Sequence, residues 1–308
     1  MSCVYCSSSF EIRSSLGAWI APRKSPRAEP YVATSHNEQC LKPLRPKTSH
    51  FLFASFLFPI FILTPQDPCI MAANLPGMIW RNHFGLPALP PPGTFKGQTV
   101  LITGASGGLG LATAIHFVNL GAASVIITTR SRAKSEAAKA QIEQQTGTAG
   151  KGIVKTMELE MDTLASTKAF ADRVTAEVKT IDYVLLNAGV LNTKFKLAGE
   201  GYEESIQVNV LSSALLGLLL LPWMMVAGKN KAHLGVVTSG RHRSIDIEKR
   251  FPKQDVLGYF SKEENYPGGD MYPFSKLLQQ YVVNELAKLA VGPDGTYVYK
   301  HFRGTTCF

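Results

Sequence analysis

T-G-A-S-G-G-L-G, Thr103 to Gly110, stands between two segments of different apolar period. Upstream, Thr99 to Thr103 (TVLIT) is short, β-branched and continuously apolar, as a strand buried on both faces requires. Downstream, LGLATAIHFVNLG sets Leu111, Ile115, Phe117 and Leu120 along one side of a helix. A strand, a glycine-rich turn and a helix in that order make an anion site. Gly104 permits a tight turn, Gly108 lets backbone N–H groups approach a pyrophosphate, and Gly110 lets helix and strand pack closely. The helix N-terminus adds unpaired N–H groups and partial positive charge.

Working outward, strands and helices continue to alternate. Strands are expected at Ser124–Thr129, Gly152–Leu159, Tyr183–Asn187, Leu234–Ser239 and Thr296–Lys300, and helices over 133–145, 165–179, 203–226 and 272–290. Apolar strands separated by helices imply right-handed crossovers and a parallel sheet covered on both faces. The fold class is α/β, a single doubly wound, Rossmann-type domain over 94–308, preceded by a non-domain extension over 1–93.

The 308 residues are 45% apolar, with mean hydropathy +0.03 and only 18% charged residues, which excludes a multi-span membrane protein and a wholly disordered chain. Net charge is +9, yet the first 70 residues hold seven basic and four acidic groups, and the remaining excess is spread thinly. Without a basic block or an interleaved aromatic stripe, nucleic acid is not the expected partner. Four of the five cysteines (Cys3, Cys6, Cys40, Cys69) precede the domain, so a disulfide-stapled fold is not expected. Cys3 and Cys6 lack a second ligand pair, and no metal is expected.

Residues 51–63 (FLFASFLFPIFIL) are uncharged but shorter than the ~20 residues of a membrane span. Three origins are open for the extension: a targeting segment, a weak membrane anchor, or upstream sequence outside the working protein. The last is favoured because Met71-Ala72-Ala73 leads directly into the domain. A cytoplasmic location is expected, with membrane association through 51–63 as the alternative.

Tyr272-Pro273-Phe274-Ser275-Lys276 puts a phenol and an ammonium one helical turn apart on the same face. A nearby cation stabilises phenolate, which makes a tyrosine useful for proton transfer near neutral pH. Ser239 ends the fifth strand, on the side where open α/β sheets place ligands.

The spacing T-G-x-x-x-G-x-G, with Asn187-Ala188-Gly189 closing the fourth strand and Y-x-x-S-K opening the last helix, resembles the short-chain dehydrogenase/reductase family. That resemblance implies a catalytic tetrad of Asn209, Ser239, Tyr272 and Lys276. It implies a coenzyme site lined by Gly104, Ser106, Gly108, Leu109, Gly110, Arg130, Asp162, Asn187, Tyr272 and Lys276. In the family the serine hydrogen-bonds the substrate oxygen, the lysine also binds the nicotinamide ribose, and the asparagine holds a water linking the lysine to solvent. Arg130 occupies the place where a carboxylate would favour NAD, so NADP(H) is preferred. A merely solvated strand-end charge remains the other reading of Arg130, and a helix N-cap the other reading of Asp162.

The long interval between Ser239 and Tyr272 must pass the pocket mouth and either shapes substrate choice or is a surface insertion. With the Ser-Gly-Arg-His run it looks like the retinol-dehydrogenase-like side of the family, in a style similar to fungal members of specialised metabolism. The family continues past its sixth strand with a Pro-Gly turn and a final strand that His301–Phe308 do not supply. The expected activity is NADP(H)-dependent interconversion of a carbonyl and an alcohol on a small, fairly apolar molecule. The alternative is a catalytically impaired dinucleotide-binding or interaction protein. A homo-oligomer is possible in either case.

Overall fold

The computed structural model describes residues 89–229, 231–247 and 251–290. Five parallel strands form one sheet in the order β3-β2-β1-β4-β5: β1 Thr99–Ile102, β2 Ser124–Thr129, β3 Val154–Glu158, β4 Tyr183–Leu186 and β5 His233–Val236. The chain starts mid-sheet, winds out to β3, then returns to the other side of β1 for β4. The β1/β4 seam is therefore the switch point where the two crossovers diverge and leave a crevice above the strand ends. The sixth strand expected at 296–300, the run 51–63 and all five cysteines lie outside the described residues.

Helices α1 (Gly108–Asn119), α2 (Arg132–Thr146) and α3 (Leu164–Glu177) follow the first three strands. Sheet residues Val100, Ile102, Val125 and Ile127 pack with Leu111, Ala114, Val118 and Ile142 on one face. Leu101, Val184, Leu186 and Leu234 pack with Phe170, Val174, Leu216 and Leu220 on the other. Neighbouring strand residues thus point to opposite cores, which is why the strands read as unbroken apolar runs.

The helix expected over 203–226 is not continuous. A short turn, α4 (Glu204–Ile206), runs into a π-helical stretch, Gln207–Ser212, before α5 (Ser213–Ala227). A π turn inserts an extra residue and rotates the side chains after it, a displacement that apolar periodicity cannot register. Over Glu204–Ala227 this segment is long and apolar enough to cross a membrane by length and composition. Here it packs between α3 and the last helix, α7 (Met271–Leu289), with Gln207 and Asn209 fully buried.

Part of the interval after β5 packs against the domain. It contains a 3-10 turn at Gly240–Ser244 and a short helix, α6 (Val256–Phe260). Phe260 is buried with Ile206, Met271 and Phe274, and Phe251 stacks on Phe274 with ring centroids 4.3 Å apart. This second small core lies against the first turn of α7, where Tyr272 sits.

Candidate active site

The glycine turn is held from beneath. Asn187 donates from Nδ2 to the carbonyls of Thr103 (3.0 Å) and Gly104 (3.1 Å), while the Thr103 hydroxyl accepts from the amides of Asn187 and Ala188 (2.9 and 3.0 Å). Thr103 opens the motif, and the sequence alone gives its side chain no role. Its role depends on the β4 end coming alongside β1, which only the sheet order supplies.

Gly104 has φ +68°, and a Cβ there would stand 2.7 Å from Ala188 Cα. At Gly110 a Cβ would stand 2.5 Å from the Gly104 carbonyl oxygen and 2.6 Å from Asn187 Nδ2. The outer side of the turn is open: a Cβ on Gly107 or Gly108 would meet nothing within 4 Å, and Ser106 and Leu109 are exposed. Gly107 caps α1 without a side-chain acceptor, and no acidic residue stands in the first helical turn. Those amides remain for an outside anion, so the turn fits a dinucleotide pyrophosphate.

Arg130 is exposed directly after β2. Ser131 is the N-cap of α2 but makes no side-chain cap bond, so its hydroxyl is not spent on the helix. Asp162 does not cap α3 either; Thr163 does, accepting from the Ser166 amide at 3.1 Å. The loop after β4 comes down on this turn. A Cβ on Gly199 would lie 2.6 Å from Thr163 Cγ2 and 3.5 Å from Asp162 Oδ2, and Glu200 accepts from the Leu164 amide. The loop is pinned by Glu204, which takes Lys196 at 2.5 Å and Asn192 at 2.7 Å. Burial pushes the Glu204 carboxyl up, but these two donors outweigh it and hold the group below the usual range.

At the other end of the crevice stand Asn209 in the π segment, Ser239 at the N-cap of the 3-10 turn after β5, and Tyr272 and Lys276 on α7. Asn209, in the π segment, exchanges two bonds with Val190: Oδ1 accepts from its amide at 2.8 Å and Nδ2 donates to its carbonyl at 2.9 Å. Nδ2 also donates to the Ser275 hydroxyl at 2.9 Å. The asparagine thereby ties the loop after β4 to α7. Ser239 is buried, and its hydroxyl accepts from the Arg241 amide at 3.3 Å, leaving the O–H to donate elsewhere.

Lys276 is 4% exposed. Its ammonium donates to the Val237 carbonyl at 3.0 Å and to Gln279 Oε1 at 2.9 Å, and lies 5.8 Å from the centroid of the half-buried Tyr272 ring. An ammonium has three N–H donors, so these two bonds leave one N–H for a further acceptor. Gly189 forms the opposing wall; a Cβ there would be 3.0 Å from Asn209 Oδ1 and 3.5 Å from Lys276 Nζ.

Burial pushes the Lys276 pKa down to about 8. In the unfolded chain a lysine keeps its proton to about pH 10.4. Between those values the unfolded state binds more protons than the folded one, so stability rises with pH across that window and is flat below it. Relative to Lys276→Met, the parent protein is expected to gain roughly 3 kcal/mol between about pH 8 and 10.5 in denaturant titrations. Parallel stability curves for the two proteins over that range would contradict a buried, charged lysine.

The family model described as short chain dehydrogenase matches residues 98–241. The short-chain dehydrogenase/reductase ffsI of Aspergillus flavipes is 36% identical over 221 residues, covering 71% of this chain and 64% of that protein. The short-chain dehydrogenase/reductase phmF of Phaeosphaeria nodorum is 35% identical over 204 residues, covering 65% and 60%. This chain belongs to the short-chain dehydrogenase/reductase family. It spans less than two thirds of the length of these two relatives. Among solved structures, a short chain dehydrogenase from Salmonella enterica superposes with TM-score 0.52 at 20% identity, over 71% of this chain and 80% of that one. A short chain dehydrogenase from Escherichia coli complexed with NADPH gives TM-score 0.51, also at 20% identity, over 70% and 80%. Both likenesses concern the fold.

Proposed function

We propose that this chain is an NADP(H)-dependent oxidoreductase that interconverts a carbonyl and an alcohol on a small, fairly apolar molecule. The observation that carries the reading is the buried Lys276 beneath Tyr272, with Ser239 in the turn that follows β5 rather than within the strand. Packing alone gives no reason to bury an ammonium among neutral groups. The coenzyme, when bound, supplies or accepts the hydride at the reacting carbon. Tyr272 gives the proton to the carbonyl oxygen, or takes it from the alcohol. Ser239, whose hydroxyl already accepts from Arg241, donates to the same oxygen and stabilises charge developing there. Lys276 keeps a positive charge near the phenol, favouring its ionised form. Asn209 keeps the β4 loop and α7 in register.

The glycine turn and the α1 N-terminus would hold the pyrophosphate, with Asn187 bracing the turn from behind. Asp162 would border the adenine. Arg130 and the uncommitted Ser131 hydroxyl favour a 2′-phosphate over a bare ribose. A specialised-metabolism role and a cytoplasmic setting belong to the same reading.

Coenzyme preference is tested by Arg130→Asp. Loss of one charge-assisted contact is expected to weaken NADPH binding about 10- to 100-fold while NADH binding holds or improves. Fluorescence titration of both coenzymes reads this directly, and an unchanged NADPH affinity would return Arg130 to a solvated strand-end charge. Turnover is tested by following NADPH oxidation over a panel of apolar aldehydes and ketones. A protein that binds NADPH but reduces none of them would be a dinucleotide-binding protein instead.

A further inference from the structure

We propose that Gln279 is a positioning residue of this site, its amide oxygen fixing the Lys276 ammonium in place and in charge beneath Tyr272. The proposal rests on the oxidoreductase reading for its functional meaning, but its physical content concerns two side chains on consecutive turns of α7.

An ammonium withdrawn from water needs acceptors. Lys276 has two: the Val237 carbonyl at 3.0 Å and Gln279 Oε1 at 2.9 Å. The first belongs to the backbone and is fixed by the sheet. The second is the side-chain acceptor recorded for this ammonium among the described residues. Asn209, the other amide nearby, has its oxygen engaged by the Val190 amide.

Gln279 itself is 1% exposed, and its Nε2 is buried with no hydrogen-bond partner. A glutamine placed there for packing alone would be a poor choice, because leucine fills similar space without an orphaned donor. The cost is accounted for if the oxygen end is what the position requires. Because Lys276 and Gln279 are three residues apart on one helix, the bond also restricts the lysine stem to the rotamer that brings Nζ under the phenol.

The ionisable groups on elements packed around α7 are Arg241, His242 and Arg243 on the 3-10 turn after β5, Glu203 and Glu204 at α4, and Asp270 before α7. Tyr259 lies on α6, and Tyr272, Tyr281, Glu285 and Lys288 lie on α7 itself. All are common to the variants below, so differences between variants report on position 279.

The test uses the full chain with labelled lysine, free of coenzyme, following the Lys276 Nζ or Cε resonance by NMR across pH and assigning it with Lys276→Met. Gln279→Leu removes the acceptor and is expected to lower the Lys276 pKa by about one unit. Gln279→Glu supplies a carboxylate and is expected to raise it by about one unit or more. The alkaline limb of kcat/KM should move in the same two opposite directions, with the KM for the carbonyl unchanged.

Shifts of one sign in both variants, or shifts below about 0.3 unit, would overturn the proposal, since general loosening of the site cannot drive the pKa both ways. If Gln279→Leu does not fold, Gln279→Glu decides alone: an upward shift supports the proposal and its absence overturns it. Opposite shifts in a protein that turns over no carbonyl would refute the oxidoreductase reading while leaving the hold of Gln279 on Lys276 intact.

Discussion

Tyr272→Phe is expected to lower kcat by about 10³-fold while leaving NADPH affinity within about threefold. The substitution removes one oxygen and leaves the ring, which is half-buried in the first turn of α7 and lies 5.8 Å from the Lys276 ammonium. The packing that sets α7 lies elsewhere, in Met271 and Phe274 against Ile206 and Phe260, so the helix start should not move. What disappears is the group that exchanges a proton with the substrate oxygen. Ser239 can still stabilise charge on that oxygen, so a residual rate above the uncatalysed one should persist. Steady-state kinetics and coenzyme titration on the same preparation check both halves. A variant that retains a tenth or more of the parent kcat would remove Tyr272 from the proton path.

The second large effect is expected at Gly110. In Gly110→Ala the new methyl would sit 2.5 Å from the Gly104 carbonyl oxygen and 2.6 Å from Asn187 Nδ2, closer than side-chain carbons come to such atoms. Neither neighbour can yield cheaply. One is backbone in a turn with φ +68°, and the other is tied by two bonds to that same backbone. Relief requires α1 to lift away from β1, which disturbs the core that Leu111 and Ala114 share with the strand. We expect a destabilisation of about 3 kcal/mol or more and loss of measurable NADPH binding.

Gly107→Ala is the instructive contrast. Its Cβ meets nothing, and its backbone is extended, so the fold should melt as the parent does. Its methyl would nevertheless stand on the open face where phosphate oxygens approach, so coenzyme affinity should fall without a stability change. Thermal melts paired with NADPH titration separate the two cases. Equal melting temperatures for Gly110→Ala and the parent would undo the close-packing account.

Much of this was legible from residue order. The strand-turn-helix around Thr103–Gly110 is a local pattern, and so is the apolar run of each strand, because a strand buried on both faces leaves no polar period to misread. Tyr272 and Lys276 could be paired because four residues on a helix are one turn. Less was legible where a side chain's partner is remote in sequence. The bonds of Asn209 to Val190 and Ser275 span 19 and 66 residues. The bracing of Gly104 by Asn187 spans 83. The π turn leaves no mark in the sequence because it changes rotation without changing composition. Gln279 carried no motif and looked like an ordinary polar position on an amphipathic helix; the spacing from Lys276 was the available signal, and it became meaningful once both residues proved buried.

The sequence by itself determined the α/β alternation, the anion-binding turn and the identity of the chemical groups, since each depends on residues within one element or one turn of each other. The tertiary structure decided which groups meet. It packed Phe251 and Phe260 of the interval after Ser239 against Phe274 of α7, and it made Glu204 the anchor of the loop over Asp162. It also left Lys276 in a site with an amide and a carbonyl for company. Those outcomes follow from how the two halves of the sheet close against α5 and α7, and long-range packing of that kind leaves no period in the sequence to read.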